Sequence, residues 1–587
     1  MTHPQGWDIY DAQAEGLDLA QFIATCPTME MPGDAGAKLP FSFLGYDTAR
    51  YWFLPRKRRV PFTIDMGRFG PSALLEVAPL GFWGGAGLVK DNGSIKTDAA
   101  QDWIIEEQEK IGMVDLRRLR GAGVWRDGEQ IVVNDGQQIV TMARERVLYE
   151  TFGSSEGAEY IPSEARFGDM TGEESTNEEG RALAALFIAQ RFASPSFALY
   201  AMGWSLIACF GGILAWRPHI WITGRKGTGK SWAIENLIGP LCGDFASKWG
   251  SRASEPGIRR TLKTDARPVI VDEMEPKNKA AVAKIDALTD LARNASCDAS
   301  SRSVLASGEG TVTFMVRSCF CFASVQAPEM NAANESRIMR LELQPLDGDG
   351  ERDKKDASKS AAPLLRDASR FRRRLFLALP RIIADIEYLR ETLPGTMGDQ
   401  REVDMWAPIL TAAWAVQSAE SIQSAAGKDW LIDSMNDAMK GREAVIDDEE
   451  RVIEHILESP VRTDDMKTRT VAELLVTADS VEGGQADAMA LLARQGLSIS
   501  LMRNGDGVKH RYLAIAQNSK ALQRMLEGTP YEHGYDQQIK RHRLCNGVDP
   551  QQVKIAGKNT RCRCLKWEPF REKYLGAEAQ GRLEGAE

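Results

Sequence analysis

The chain has 587 residues, a formal net charge of −9, and 43% hydrophobic and 26% charged residues. This composition excludes a wholly disordered or fibrous chain and fits about three to four domains of ~150 residues each. Nine cysteines are too sparse for a disulfide framework, and the start MTHPQGWDIY lacks a basic stretch followed by an apolar run, so a cytoplasmic protein without a secretory leader is expected.

Residues 1–155 predict a mixed α/β domain whose role the sequence leaves open. Asp47–Leu54 and Val60–Met66 alternate as strands around the basic turn Arg56-Lys57-Arg58-Arg59, which reads as a charged hairpin tip or a weak nucleic-acid contact. Ala99–Gly112 carries a helical stripe, and 123–140 reads as short strands. Residues 156–179 are acidic and Gly-rich, the composition of a linker. Phe197–Trp216 is uncharged and as long as a bilayer span. Its small residues, and its run into the next strand, predict a buried helix and no membrane partner.

Residues 180–346 carry the chemistry. Gly224-Arg225-Lys226-Gly227-Thr228-Gly229-Lys230-Ser231 fits the G-x-x-x-x-G-K-[ST] pattern, with the apolar strand His219–Thr223 before it and a helix over Ser231–Ile238 after it. Glycines let the backbone N–H groups wrap phosphate oxygens, and the helix start favours the same anion. Residues 224–232, with Trp232 closing the segment, are the expected ATP-binding loop. Lys230 is expected to reach the β- and γ-phosphates, and Ser231 to hold Mg²⁺. Pro268-Val269-Ile270-Val271-Asp272-Glu273 is a buried strand ending in two carboxylates. Asp272 is the expected second Mg²⁺ ligand, and Glu273 the residue that orients or deprotonates the attacking water. A third strand, Arg317–Ala323, ends in Ser324-Val325-Gln326, where Ser324 and Gln326 are alternative contacts for the γ-phosphate. Arg337, just ahead of the strand Leu341–Leu343, is a candidate arginine finger, with Arg293, Arg302, Arg317 and Arg401 as competitors.

Crowding of these three elements within about a hundred residues resembles the superfamily 3 helicases of the AAA+ class. Glu255–Arg267 (EPGIRRTLKTDAR), PFSFLGYD at 40–47 and LRGAGVW at 119–125 are similar to prophage and mobile-element replicative helicases. The resemblance implies a P-loop ATPase core, AAA+-like, assembled as a homohexameric ring with single-stranded DNA in its central channel. It places a pore hairpin at Ser303–Gly310 beside Arg302, although that hairpin lacks Lys. The family's third strand usually ends in Asn, where this chain offers Ser324 or Gln326. No primase centre is recognisable upstream.

Residues 347–440 read as a polar stretch followed by helices. Residues 441–587 predict helices at 444–457, 470–477 and 485–495. The hairpin Leu497–Arg503/Lys509–Ala516 follows, then a further helix and hairpin, in a winged-helix-like order. Residues 501–577 hold about fifteen Lys/Arg against about seven Asp/Glu. Lys509, Arg511, Lys540, Arg541, Arg543, Lys558, Arg561 and Arg563 are therefore the expected contacts to duplex or origin DNA. His542, Cys545, Cys562 and Cys564 leave a zinc site open, although free thiols on strands suit the spacing better. The expected function is an ATP-dependent, Mg²⁺-requiring DNA helicase of a phage or mobile element. The rivals are a DNA-binding initiator or switch that hydrolyses ATP without unwinding, and an ATPase acting on protein partners.

Overall fold

The computed structural model describes residues 39–149, 151–276, 278–299, 302–307, 310–325, 330, 332–344, 363–394, 400–440, 448–464, 466–480, 484–503, 509–527, 529, 531–532, 535–545 and 551–576. The chain divides between Arg166 and Phe167 into two compact units.

The first unit pairs Phe41–Tyr46, Arg50–Pro55 and Phe62–Asp65 as an antiparallel sheet. Its Phe41, Phe53 and Ile64 pack with Trp83, Trp103 and Ile104 into one core. Trp103 and Ile104 belong to the helix Thr97–Ile111. A four-stranded antiparallel meander follows over 123–147. The basic turn is tied into this unit in part, with Lys57 and Arg58 exposed. Arg58 pairs with Glu76, and Arg59, buried with φ +51, donates to the Tyr160 carbonyl and Glu159.

The second unit is built on a five-stranded, all-parallel sheet. We number its strands in chain order: β1 His219–Thr223, β2 Ser247–Trp249, β3 Val269–Val271, β4 Phe320–Ala323 and β5 Ile338–Glu342. Their spatial order is β2-β3-β4-β1-β5. A parallel sheet covered on both faces needs continuous apolar strands, and HIWIT, VIV and FCFA supply them. Trp221, Val271, Phe320 and Phe322 form one face, with Ile285, Leu288, Leu291 and Ala292 of the helix Lys279–Ala295. That helix starts where the Asn278 side chain accepts from the Ala281 N–H, satisfying one orphan donor of its first turn.

Pro195–Ile207, overlapping the first half of the uncharged stretch, is a 13-residue helix buried from Ser196 to Ile207. No described helix is long and apolar enough to cross a membrane. The acidic stretch predicted as a linker is pinned in its second half. Arg370, Arg373 and Arg374 of the helix Ser369–Thr392 bond to Glu179, to the carbonyls of Asp169, Glu173 and Ser175, and to Asn177.

At the C-terminal end, helices Asp448–Glu458, Val471–Asp479 and Gln485–Arg494 precede the hairpin Leu497–Arg503/Lys509–Ala516. The second hairpin, Gln551–Ile555/Lys558–Lys566, joins the first through Tyr512↔Lys566 pairing, giving one four-stranded antiparallel sheet. A short strand pair, Pro460–Arg462 with Thr468–Thr470, is an element the sequence pattern did not reveal.

Candidate active site

In a parallel sheet, ligands bind beyond the carboxyl ends of the strands, where successive connections leave in opposite directions. The chain leaves β1 for the β2 edge and leaves β4 for β5, crossing β1. That crevice between β1 and β4 is where the glycine loop lies. Gly224, Gly227 and Gly229 have φ of +150°, +91° and +94°, a backbone path that side chains resist. A Cβ on Gly224 would stand 2.7 Å from the Leu343 carbonyl and 2.8 Å from Thr228 Oγ1, so this glycine is required for close approach. Thr228, buried, ties the loop by donating to the Arg225 carbonyl at 3.0 Å, while Arg225, Lys226 and Gly227 face solvent.

Helix begins at Lys230 and runs to Cys242, longer than predicted and with a five-residue π segment at Ile234–Ile238. Gly239 N–H reaches the Ile234 carbonyl, five residues back. Pro240 follows at once. It has no N–H to give to the α ladder, and its ring clashes with the carbonyl four residues before; the wider turn accommodates both. Lys230 Nζ folds onto its own loop, donating to the carbonyls of Gly224 (2.5 Å) and Arg225 (3.2 Å). Partial burial lowers the pKa of this ammonium, and the carboxylates of Glu275 and then Asp272 act to raise it. Ser231 is exposed, and Trp232 is half-buried.

The β3 carboxylates stand beyond the far side of β4. Asp272 accepts from the Glu273 N–H at 2.7 Å, and its own N–H bonds to the Trp249 carbonyl of β2. Glu273 is exposed with φ +61. Such a backbone costs roughly 1–2 kcal/mol for a residue with a Cβ and collects at functional sites. Both acids line a cleft whose other wall is Gly250, Ser251 and Arg252. The tip of β4 closes the arrangement through its backbone: Val325 O accepts from Gly224 N, and Val325 N donates to Glu275 Oε1 at 2.6 Å. Sequence reasoning passed over Glu275 and Arg252. The acid two residues beyond Glu273, in DEMEP, was the available signal for the first.

Two sequence expectations change at this sheet. β4 is shorter than predicted, Phe320–Ala323, and Arg317 lies outside it, buried and paired with Asp298 at 3.3 Å. Ser324 is 1% exposed, and its hydroxyl accepts from Trp221 Nε1 at 2.8 Å; it turns into the core. Gln326, the alternative, lies outside the described residues. Arg337 sits at the amino end of β5, donates to the Ala333 carbonyl at 2.6 Å and lies 5.9 Å over the Trp216 ring. Its competitors differ: Arg293 pairs with Asp290, Arg401 is exposed, and the Arg302 side chain lies outside the description. The hairpin it opens is Arg302–Ser307 against Gly310–Met315.

On the C-terminal sheet and its flanking helix, Lys509, Lys540, Arg541, Arg543, Lys558 and Arg561 are exposed. Arg511 is partly withdrawn, 5.5 Å over the Trp567 ring and paired with Asp479. Arg563 is buried, with Asp536 3.9 Å away; it is a core residue, not a surface cation. Arg462, on the short strand pair, and Lys467, just before its second strand, are exposed and add cations that the sequence reading did not name. The third helix exposes Gln485, Asp487 and Met489, and its Arg494 pairs with Asp464.

The four possible zinc ligands are not brought together. His542 uses both ring nitrogens, Nε2 with Tyr574 OH at 2.9 Å and Nδ1 accepting from Leu544 N at 3.1 Å. Cys545 packs against the helical core, whereas Cys562 and Cys564 belong to a separate cluster with Tyr512, Ala514 and Val553. Burial pushes those two thiols up to about 11 and about 12. Among the described residues, no three His, Cys, Asp or Glu side chains are grouped to hold a metal.

No protein-family model matches the chain, and no curated protein matches it.

Proposed function

We propose that the chain is an ATP hydrolase with a P-loop, AAA+-like core, and that it works as an oligomeric DNA helicase of the superfamily 3 type. One observation carries the hydrolase reading. The glycine loop, the Asp272-Glu273 pair and the β4 tip come from three separate strands, yet all lie at the carboxyl edge of one sheet, with the β4 tip bonded to Gly224 and to Glu275. Gly224 lets the loop pack closely on Leu343 and Thr228, as the tight turn of a phosphate cradle would need. Mg²⁺, held by Ser231 and Asp272, would neutralise charge between the terminal phosphates. Lys230 would exchange its two carbonyl bonds for phosphate oxygens, and Glu273, directed into the cleft, would orient the attacking water and take its proton.

An arginine-finger role for Arg337 requires an oligomer. It precedes the five-residue β5, which spans about 16 Å, so its own glycine loop lies out of reach. Any contact to a γ-phosphate by Arg337 is therefore made on a neighbouring copy. The exposed cations of the C-terminal sheet suit DNA phosphates, in keeping with a winged-helix-like module that holds duplex through its strands. Its third helix exposes Asp487 and Met489 beside one donor, Gln485, a sparse set for reading a groove.

The rival reading, a DNA-binding switch without unwinding, is favoured by one contact. Glu335, three residues before β5, is buried between Arg340 of the sheet and Arg451 of the helix Asp448–Glu458, which joins the core to the C-terminal module. ATP turnover with and without single-stranded DNA, measured beside strand displacement from a forked duplex, separates them. DNA-stimulated turnover with displacement is expected. Turnover without displacement favours the switch, and no turnover ends the hydrolase reading.

A further inference from the structure

The second C-terminal hairpin runs further than the sheet that carries it. Cys562–Lys566 pairs with the strand Lys509–Ala516. Residues 558–561 pair only with 552–555, on the edge strand of the sheet. The outer part of the hairpin is therefore a two-stranded ribbon. Its turn is tight: Ala556 and Gly557 both have positive φ, +47 and +80, the two-residue form whose twist matches the strands. A Cβ on Gly557 would meet nothing within 4 Å among the described residues, so the tip stands clear.

The two faces of the ribbon differ. Val553 and Ile555 are buried, in a cluster with Tyr512, Cys562 and Cys564. Alternation sends Gln552 and Lys554 to the opposite face. Direct cross-strand pairing puts Arg561 beside Gln552 and Asn559 beside Lys554 there. All four are exposed, and among the described residues none of their side chains has a hydrogen-bond or ionic partner. The sequence from 551 to 567, QQVKIAGKNTRCRCLKW, contains no Asp or Glu to compete for the cations.

Two amides and two cations thus share one face of a narrow ribbon. The major groove of B-DNA, about 12 Å wide, admits two strands about 4.8 Å apart. Gln and Asn side chains match the paired donor and acceptor of an adenine edge, while Lys and Arg suit phosphate.

We propose that this ribbon reads duplex DNA sequence. Gln552 and Asn559 meet adenine N6 and N7 in the major groove, and Lys554 and Arg561 hold the flanking phosphates. The inference rests on the reading of the C-terminal module as a duplex holder, and adds base recognition on an element other than its third helix.

The test is selection by the full-length chain from a duplex DNA pool with a randomised centre, followed by titration of the selected and a scrambled duplex. The selected site is expected to contain A·T pairs and to bind about thirtyfold tighter than the scrambled one, two amide contacts at the weak end of bidentate pairing. Gln552→Ala with Asn559→Ala is expected to cut that preference to about threefold or less, with scrambled-duplex affinity and melting temperature unchanged. Lys554→Ala is expected to weaken both duplexes alike and to lower the slope of log affinity against log salt by about one. A pool that yields no enrichment while duplex still binds overturns the base reading. So does a preference that survives loss of both amides, or an equal loss on the two duplexes. If the unmodified chain binds no duplex, or single strands alone, the duplex reading of the module itself fails, and the ribbon with it.

Discussion

At the carboxyl ends of β1, β3 and β4 the chain passes through three glycines with positive φ and exposes Glu273 in a backbone conformation unusual for its type. At the amino ends of the same strands, charged groups are buried and fully engaged. Arg217, with no exposed surface, donates to the carbonyls of Ala295, Gly211 and Leu214 and to Asp298. His219 accepts from Phe320 N–H and pairs with Ser296 Oγ. One end of the sheet concentrates polar groups that stand ready for a ligand, and the other uses polar groups to close the core. Polar density alone therefore does not mark a site; what distinguishes the carboxyl end is backbone that side chains resist and charge that faces outward.

Variants at the two ends should separate activity from stability. Lys230→Ala is expected to reduce ATP turnover about a thousandfold while leaving the thermal midpoint unchanged, read by phosphate release and by melting on the same preparation. Glu273→Gln should cost about a hundredfold or more in turnover and keep ATP binding. Loss of both together would remove it from the water-orienting role. Arg217→Met, at the opposite end, should lower unfolding free energy by about 3 kcal/mol, seen as an earlier urea midpoint, with the turnover of the remaining folded protein intact.

Ser324 lies on the boundary between the two behaviours. Ser324→Ala leaves Trp221 Nε1 buried without its acceptor, at a cost of about 1–3 kcal/mol, and turnover should stay within twofold. A large fall in turnover at unchanged stability would return the hydroxyl to the nucleotide. A graded effect is in the pH profile. His219 is pushed down to about 3 by burial, with Arg217 adding repulsion, while the unfolded chain protonates near 6.5. The unfolded state then binds more protons between these values. Stability is complete above pH 6.5 and falls toward pH 3, by at most about 1.4 kcal/mol per pH unit from this group. His219→Gln should flatten that slope between pH 7 and pH 5.

The contiguous parts of this architecture were legible before any fold was known. The glycine loop and the Asp272-Glu273 strand end are runs in which chemistry and local backbone coincide. The hairpin Leu497–Arg503/Lys509–Ala516 was readable to its ends because alternation and turn residues act locally. What the sequence hid depends on partners far along the chain. Ser324 looks like a strand-tip contact until Trp221, 103 residues away, takes its hydroxyl. Arg563 looks like one more cation of a basic segment until the sheet buries it toward Asp536. Glu275 looks like a solvated acid in a turn until Val325 fixes it. Neither the joining of two hairpins into one sheet nor the arginine clamp on 169–179 leaves a local pattern.

The π segment behind the glycine loop has a consequence for how chains of this kind can differ in length. A π turn holds one residue more than an α turn, so the extra residue is taken up inside the turn, whereas the same residue added to a plain α-helix would rotate everything beyond it by about 100°. Ile234–Ile238 is therefore a point where a single-residue insertion or deletion can be absorbed. The Gly224–Ser231 loop would keep its place on β1, and the far end of the helix, from Gly239 to Cys242, would keep its buried face on the core. Related sequences should vary by one residue between Ala233 and Gly239 more readily than anywhere between Gly224 and Lys230.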